Sequence, residues 1–240
     1  MTYDISNKNT LVTGANRGIG KAIVESFLEH GASKVYAGVR TLGKAEALVA
    51  EFGEKVVPVE IDYDKPASIK AAAKTADDVQ VVVSNAGVLI GAGVMDEDVI
   101  EQFQTELNIN VYGLIRMAQA FAPVLKRNGG GAFVQINSIA SLSSFPRATY
   151  PASKAASYSF TQAIRHVFEE QGTAVLSVHP GPIATDMAAA SGLEDTDPPH
   201  VVSEGIVEAL REGNFHLFPD RMAKDFEKAY HNFAEAIIEA

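Results

Sequence analysis

The sequence predicts an α/β fold, a single doubly wound domain spanning residues 1–240, and three observations predict it. Apolar strand-like runs alternate with helical patterns along the whole chain, a glycine-rich turn joins the first run to the first helix, and no linker, repeat or low-complexity tract divides the sequence. Such alternation specifies a parallel sheet with helices on both faces. Seven strands are expected, over residues 11–13, 34–39, 55–60, 79–84, 132–137, 174–179 and 215–218. Right-handed crossovers between them give the doubly wound arrangement, in which a ligand lies outside the C-terminal strand ends.

The first strand, Thr10-Leu11-Val12-Thr13, runs directly into Gly14-Ala15-Asn16-Arg17-Gly18-Ile19-Gly20. The helix that follows carries Ile19, Ile23, Phe27 and Leu28 at helical spacing. Strand, glycine turn and helix N-terminus together make a phosphate cradle: glycine lets backbone N–H groups approach a pyrophosphate, and the helix adds unpaired amides and the positive end of its dipole. The spacing is Gly-x-x-x-Gly-x-Gly, not the Gly-x-Gly-x-x-Gly of the common dinucleotide fingerprint. The second strand ends in Ala37-Gly38-Val39-Arg40-Thr41. The fourth leads into Asn85-Ala86-Gly87, the fifth into Ser138 and the sixth into Pro180-Gly181. Between the fourth and fifth, a long helix over 106–127 is read from Ile109, Leu114, Met117 and Phe121. Another over 150–171 follows the fifth. The acidic, proline-containing stretch 193–200 is too short to join two domains.

Tyr150 and Lys154 stand at i,i+4 spacing at the start of that last helix. Residues so spaced share a face, with Cβ atoms about 5–6 Å apart. A cation at that distance favours phenolate, so the phenol is expected to fall from about 10 towards neutrality and to exchange a proton at cellular pH. Pro151 is compatible with a first helical turn, where its missing N–H would be unpaired anyway.

Composition narrows the function classes. A 47% hydrophobic, 21% charged chain is ordinary globular composition, and no apolar run approaches the roughly 20 residues of a membrane span. Zero cysteines exclude disulfides and thiolate metal sites. His30, His166, His179, His200, His216 and His231 show no metal-binding spacing, so no metal is expected and most read as surface or packing residues. The net charge of −10 argues against nucleic acid as a partner. The opening Met1-Thr2-Tyr3-Asp4 has neither the basic segment nor the apolar core of a secretory signal, which leads to the expectation of a cytoplasmic protein without membrane association.

Taken in order, Thr13-Gly14-x-x-x-Gly18-x-Gly20, Asn85-Ala86-Gly87, Asn110, Ser138, Tyr150-x-x-x-Lys154 and Pro180-Gly181 resemble the short-chain dehydrogenase/reductase family over nearly the whole chain. Ser84 and Asn137 depart from its commonest residues beside the strand-four and strand-five motifs, at positions that touch no proton-transfer group. The resemblance implies a Rossmann-type domain, a nicotinamide cofactor and catalysis of carbonyl–alcohol interconversion. It implies that Tyr150 donates the proton, Lys154 lowers the phenol's pKa and holds the nicotinamide ribose, and Ser138 hydrogen-bonds the carbonyl oxygen. Asn110 would support a water linking Lys154 to solvent; satisfying neighbouring backbone is its other reading. Gly14, Asn16, Arg17, Gly18, Ile19, Gly20, Asn85, Ala86 and Gly87 fall to the cofactor on this basis, as do Pro180, Gly181, Ile183 and Thr185 around the nicotinamide amide. Asp62 would bind the adenine amine, with a strand-end turn as its alternative role, and Tyr63 would offer its backbone.

At the end of the second strand an NAD site usually presents a carboxylate, whereas a 2′-phosphate favours arginine. Arg40 stands there without an acid, and Arg17 lies in the glycine loop where NADPH-using members of the family often carry a basic residue. The cofactor expectation is therefore NADPH/NADP+, in an NADP(H)-preferring carbonyl reductase type; the competing reading leaves both arginines as solvated charges. Segments 88–94, 139–149 and a lid over 184–200 should line the substrate pocket. They are mostly apolar or small, and with Leu142, Phe145, Met187 and Leu193 beside Ser138 they suit an uncharged, fairly hydrophobic ketone or aldehyde. Arg147 is the nearby cation that an acidic substrate would use. Reduction of a 3-oxoacyl group on a carrier protein shares the same catalytic residues, but Glu169-Glu170 is poor ground for an acidic carrier, while Lys126-Arg127 favours one. A non-catalytic NADP(H)-sensing protein would not need Ser138, Tyr150 and Lys154 together. Val111, Ile115 and Ala118 on one long helix, and Tyr158, Phe160, Ile164, Val167 and Phe168 on the other, exceed what one sheet face covers, which predicts a homodimer or homotetramer.

Overall fold

In the computed structural model, which describes residues 1–239, seven strands form one all-parallel sheet in the order β3-β2-β1-β4-β5-β6-β7. The strands are β1 (Asn9–Thr13), β2 (Lys34–Val39), β3 (Val56–Glu60), β4 (Val81–Ser84), β5 (Ala132–Ile136), β6 (Ala174–Val178) and β7 (His216–Leu217). Nine α-helices are described: α1 (Gly18–Glu29), α2 (Glu46–Phe52), α3 (Pro66–Thr75), α4 (Val99–Glu106), α5 (Gly113–Arg127), α6 (Thr149–Glu169), α7 (Asp186–Ala190), α8 (His200–Glu212) and α9 (Arg221–Phe233). The order reverses between β1 and β4, and this switch point opens the crevice at the strands' C-terminal ends.

Period-two side chains in buried strands feed two cores. Val12, Val81, Val83, Val134 and Leu176 pack with Ile23, Phe27, Val202 and Ile206 on the α1 and α8 side. Their neighbours Leu11, Val82, Phe133 and Val175 face Ile69, Leu114, Met117, Phe121 and Phe168 on the α3, α5 and α6 side. Nearly continuous valine runs are what a strand covered on both faces requires.

Three local expectations change. The seventh strand pairs only through His216 and Leu217, because it lies at the sheet edge with one neighbour. The helix expected over 106–127 is instead α4, a π-helical turn over Leu107–Tyr112 and then α5. Gly113 lets the Tyr63 ring pass where a Cβ would overlap it. The apolar surplus is also narrower than the pattern suggests, since Val111, Ala118, Tyr158 and Phe168 are buried within the chain, and Phe160 and Val167 are the exposed ones at 43% and 62%. Among the described residues no helix is long and apolar enough to cross a membrane.

Candidate active site

The glycine turn is a closed cradle. Gly14 and Gly18 adopt φ of +64° and +53°, which L side chains rarely tolerate. A Cβ on Gly20 would overlap the Gly14 carbonyl and come 2.7 Å from Asn85 Nδ2. Asn85 fills the inside of the loop, donating through Nδ2 to the Thr13 carbonyl at 2.8 Å. The N–H groups of Asn85 and Ala86 donate to Thr13 Oγ1 at 2.9 and 3.0 Å, lacing the end of β4 to that of β1. No side chain caps α1: Arg17 occupies its N-cap in extended backbone without a capping bond. The first-turn amides are thereby left for an anion. These features fit a dinucleotide pyrophosphate. Asn16 and Gly18 are half-buried on the loop, and Ile19 packs against the core. Thr185 lies against the cradle, its Cγ2 3.0 Å from where a Gly18 Cβ would stand, so the glycine turn and the Pro180-Gly181 segment meet in space.

Ser138, Tyr150 and Lys154 are all buried, Ser138 just beyond β5 and the other two on the first turns of α6. Ser138 Oγ donates to the Pro180 carbonyl at 3.3 Å and accepts from Ala140 N at 3.1 Å. Lys154 Nζ donates to the Ile136 carbonyl at 3.0 Å and lies 5.8 Å from the centre of the Tyr150 ring. Gly87 keeps the space above open, since its Cβ would be 3.7 Å from that Nζ and 3.2 Å from Asn110 Oδ1.

The expected fall of the phenol pKa is not what this arrangement produces. Burial pushes Tyr150 up to about 12, a hydrogen bond with Ser138 pulls the other way, and the charge of Glu106 adds to the rise. Burial lowers Lys154 to about 8, against which Glu106 acts. Helical spacing fixed the distance between the two Cβ atoms, but removal from water outweighs a partly neutralised amine that points at a backbone carbonyl.

Other assignments shift likewise. Asn110 lies in the π turn, and its side chain is fully engaged: Oδ1 accepts from Val88 N at 2.9 Å, and Nδ2 donates to the Val88 carbonyl at 2.9 Å and Ser153 Oγ at 3.0 Å. It satisfies neighbouring backbone, and this side chain is not placed to hold a water for Lys154. The Tyr63 carbonyl accepts from Arg116 at 2.8 Å, and its hydroxyl sits between Thr13 and Ser84, so only its N–H is left to face a ligand. Asp62 is a turn residue, accepting from Asp64 N at 3.1 Å, with Lys65 at 3.4 Å. Arg17 pairs with Asp186 at 2.9 Å, tying the cradle to the lid, while Arg40 is exposed at the end of β2.

The short-chain dehydrogenase family model matches residues 8–195. This chain belongs to that family. As a short-chain dehydrogenase it is an oxidoreductase of the nicotinamide-dependent, carbonyl–alcohol type. It is 31% identical over 230 residues to the short chain dehydrogenase pigC of Monascus ruber, covering 87% of this chain and 76% of that one. An uncharacterized oxidoreductase of Staphylococcus aureus is 29% identical over 216 residues, 87% and 93% of the two chains. Among solved structures, a short chain dehydrogenase from Burkholderia cenocepacia in complex with NADP superposes with a TM-score of 0.89 at 32% identity, covering 98% of this chain and 97% of that one. A Burkholderia phymatum enzyme in complex with NAD has a TM-score of 0.82 at 23% identity over 98% and 96%, a likeness of fold.

Of the substrate-side residues in this short-chain dehydrogenase, Phe145 is nearest the chemistry, its ring centre 6.4 Å from that of Tyr150. Leu142 is half-buried, and Met187 and Leu193 are exposed on the lid. Leu193 lines a cleft of about 670 Å³ with Gly18, Lys21, Asp186 and His200, which runs beside the phosphate cradle and not over Tyr150. Ile183 is buried and bridges Asp197 across the base of the lid. Two carboxylates escaped the sequence reading. Buried Asp220 accepts from Gly181 N at 2.6 Å and caps α9, fixing the Pro180-Gly181 turn. Glu106, wholly buried, accepts from Ile90 N and Gly91 N at 2.8 and 3.1 Å. Its one available signal was its place four residues before Asn110.

Proposed function

We propose that the protein reduces an uncharged, fairly hydrophobic ketone or aldehyde reversibly to the alcohol, with NADPH as the hydride source and Tyr150 as the proton donor. The observation that carries this reading is the convergence of Ser138, Tyr150 and Lys154 beyond the end of β5, on the same rim as the glycine cradle. The dinucleotide supplies the hydride when bound.

The chain's own residues do the rest. The uncapped first turn of α1 holds the pyrophosphate, with Gly14, Gly18 and Gly20 admitting it. Thr185 and the Pro180-Gly181 turn bound the nicotinamide end. Ser138 orients the carbonyl oxygen, and the Tyr150 hydroxyl transfers its proton to that oxygen as negative charge develops there. A phenol raised by burial is fully protonated at neutral pH, which suits reduction. Lys154, lowered to about 8, stays largely cationic near pH 7 and stabilises the phenolate that remains. Phe145 and Leu142 give the carbonyl's substituents an apolar wall. Arg40, exposed and unopposed by an acid at the end of β2, supports the preference for a 2′-phosphate. The exposed Phe160 and Val167 on α6 support assembly into a homodimer or homotetramer, and the charge of −10 supports a small-molecule partner over nucleic acid.

A panel of aldehydes and ketones, each with NADPH and with NADH, tests the reading by absorbance. Apolar carbonyls should be reduced with NADPH preferred, and Arg40→Ala should weaken NADPH about tenfold or more with NADH little changed, since charge-assisted contacts are the strong ones. Equal weakening of both cofactors would remove Arg40 from the phosphate site.

A further inference from the structure

Glu106 ends α4 with no exposure to solvent, and only one of its oxygens is used. Oε1 accepts the two loop amides; Oε2 has no hydrogen-bond partner among the described residues. A buried carboxylate left half-satisfied is costly, and one that persists beside the reacting groups has a cause to be sought there. The loop it holds, residues 88–93, follows the Asn85-Ala86-Gly87 motif and is pinned at nearly every amide: Val88 by Asn110, Ile90 and Gly91 by Glu106, Ala92 by Thr149 Oγ1 at 2.9 Å and Gly93 by Asp96 at 2.7 Å.

We propose that Glu106 is a positioning residue of the reaction: one oxygen fixes the substrate-facing loop, and the buried negative charge biases the Tyr150–Lys154 pair towards its protonated, reduction-ready form. The inference rests on the assignment of Tyr150 as proton donor. Four elements supply the groups that face the pair. Ser138, beyond β5, bonds the phenol, and Glu106 on α4 is the charge acting on both members. His179, beyond β6, is held neutral by burial between Ser177 and Ser141 and senses Lys154. Arg147 packs on Gly91, on the far side of the Glu106 clamp, and is exposed. No second carboxylate opposes or duplicates Glu106 there among the described residues. A negative charge disfavours phenolate and favours ammonium, so both effects have the same sign.

Glu106→Gln tests it, because the amide keeps an oxygen for Ile90 and Gly91 and removes the charge. Lysine carbon NMR, with Lys154 assigned by the resonance missing in Lys154→Arg, should show its midpoint about one pH unit lower in Glu106→Gln than in wild type. The alkaline limb of benzaldehyde reduction with NADPH should move down with it. Thr149→Val, which loosens the same loop without altering charge, should raise KM and leave the limb in place. If Glu106→Gln does not fold, Glu106→Asp, whose shorter side chain withdraws from the loop amides, should shift the midpoint in the same direction by less. An unmoved midpoint in a folded variant overturns the proposal. Activity retained by Tyr150→Phe would instead overturn the proton-donor assignment on which it rests.

Discussion

Two walls of the site are held by opposite means. The inner wall, residues 88–93, hangs from side chains that are buried and carry their partners with them: Asn110, Glu106 and Thr149. The outer wall, the lid over 184–200, is held largely by ion pairs in solvent, Arg17 to Asp186 and Arg221 to Asp195 and Asp197. A backbone N–H deprived of its partner in the interior costs about 1–3 kcal/mol, whereas an exposed pair competes with water and salt. The inner wall is therefore part of the folded frame, and the lid is a segment whose opening costs little.

The largest expected break of this contrast comes from Asn110→Ala, which removes three hydrogen bonds and strands the Val88 amide. A loss of about 3 kcal/mol is expected, a fall in Tm of roughly 6–12 °C for a chain of this size; a change below about 2 °C would show that the inner wall is not held as described. A smaller effect should follow from ionic strength. Raising salt should quicken cleavage after Glu194 by a glutamate-specific protease while Tm stays nearly constant, because screening reaches exposed pairs and not the buried clamps. Cleavage indifferent to salt would place the lid's stability elsewhere, for instance in the Asp197 bridge to Ile183. Smallest of all, Arg221→Ala should leave Tm unchanged and raise KM modestly, and a clear drop in Tm would make that pair part of the frame.

The same division explains what could be read from the sequence. The cradle is made of consecutive residues whose conformations belong to glycine, and Tyr150 and Lys154 share a helical face, so local rules found both. The period-two valines of β4 disclosed a strand covered on both sides. Glu106 and its loop partners are 15 and 16 residues apart, and Asp220 and Gly181 are 39 apart; no local period links them. The phenol's acidity was misjudged for a related reason. Spacing reports which side chains are neighbours, whereas burial and the turn of Lys154 towards the Ile136 carbonyl are tertiary facts. The π turn that splits the long helix at Asn110 is another, set by Tyr63 against Gly113 and by the Val88 clamp.

The account rests on Tyr150 as the group that hands a proton to the substrate oxygen. The direct measurement is turnover of benzaldehyde and the other carbonyls of the panel by wild type and Tyr150→Phe, beside NADPH binding followed by fluorescence. Loss of the hydroxyl should leave binding nearly unchanged and cut turnover by about 10²–10⁴-fold. Turnover by Tyr150→Phe within tenfold of wild type would contradict the account.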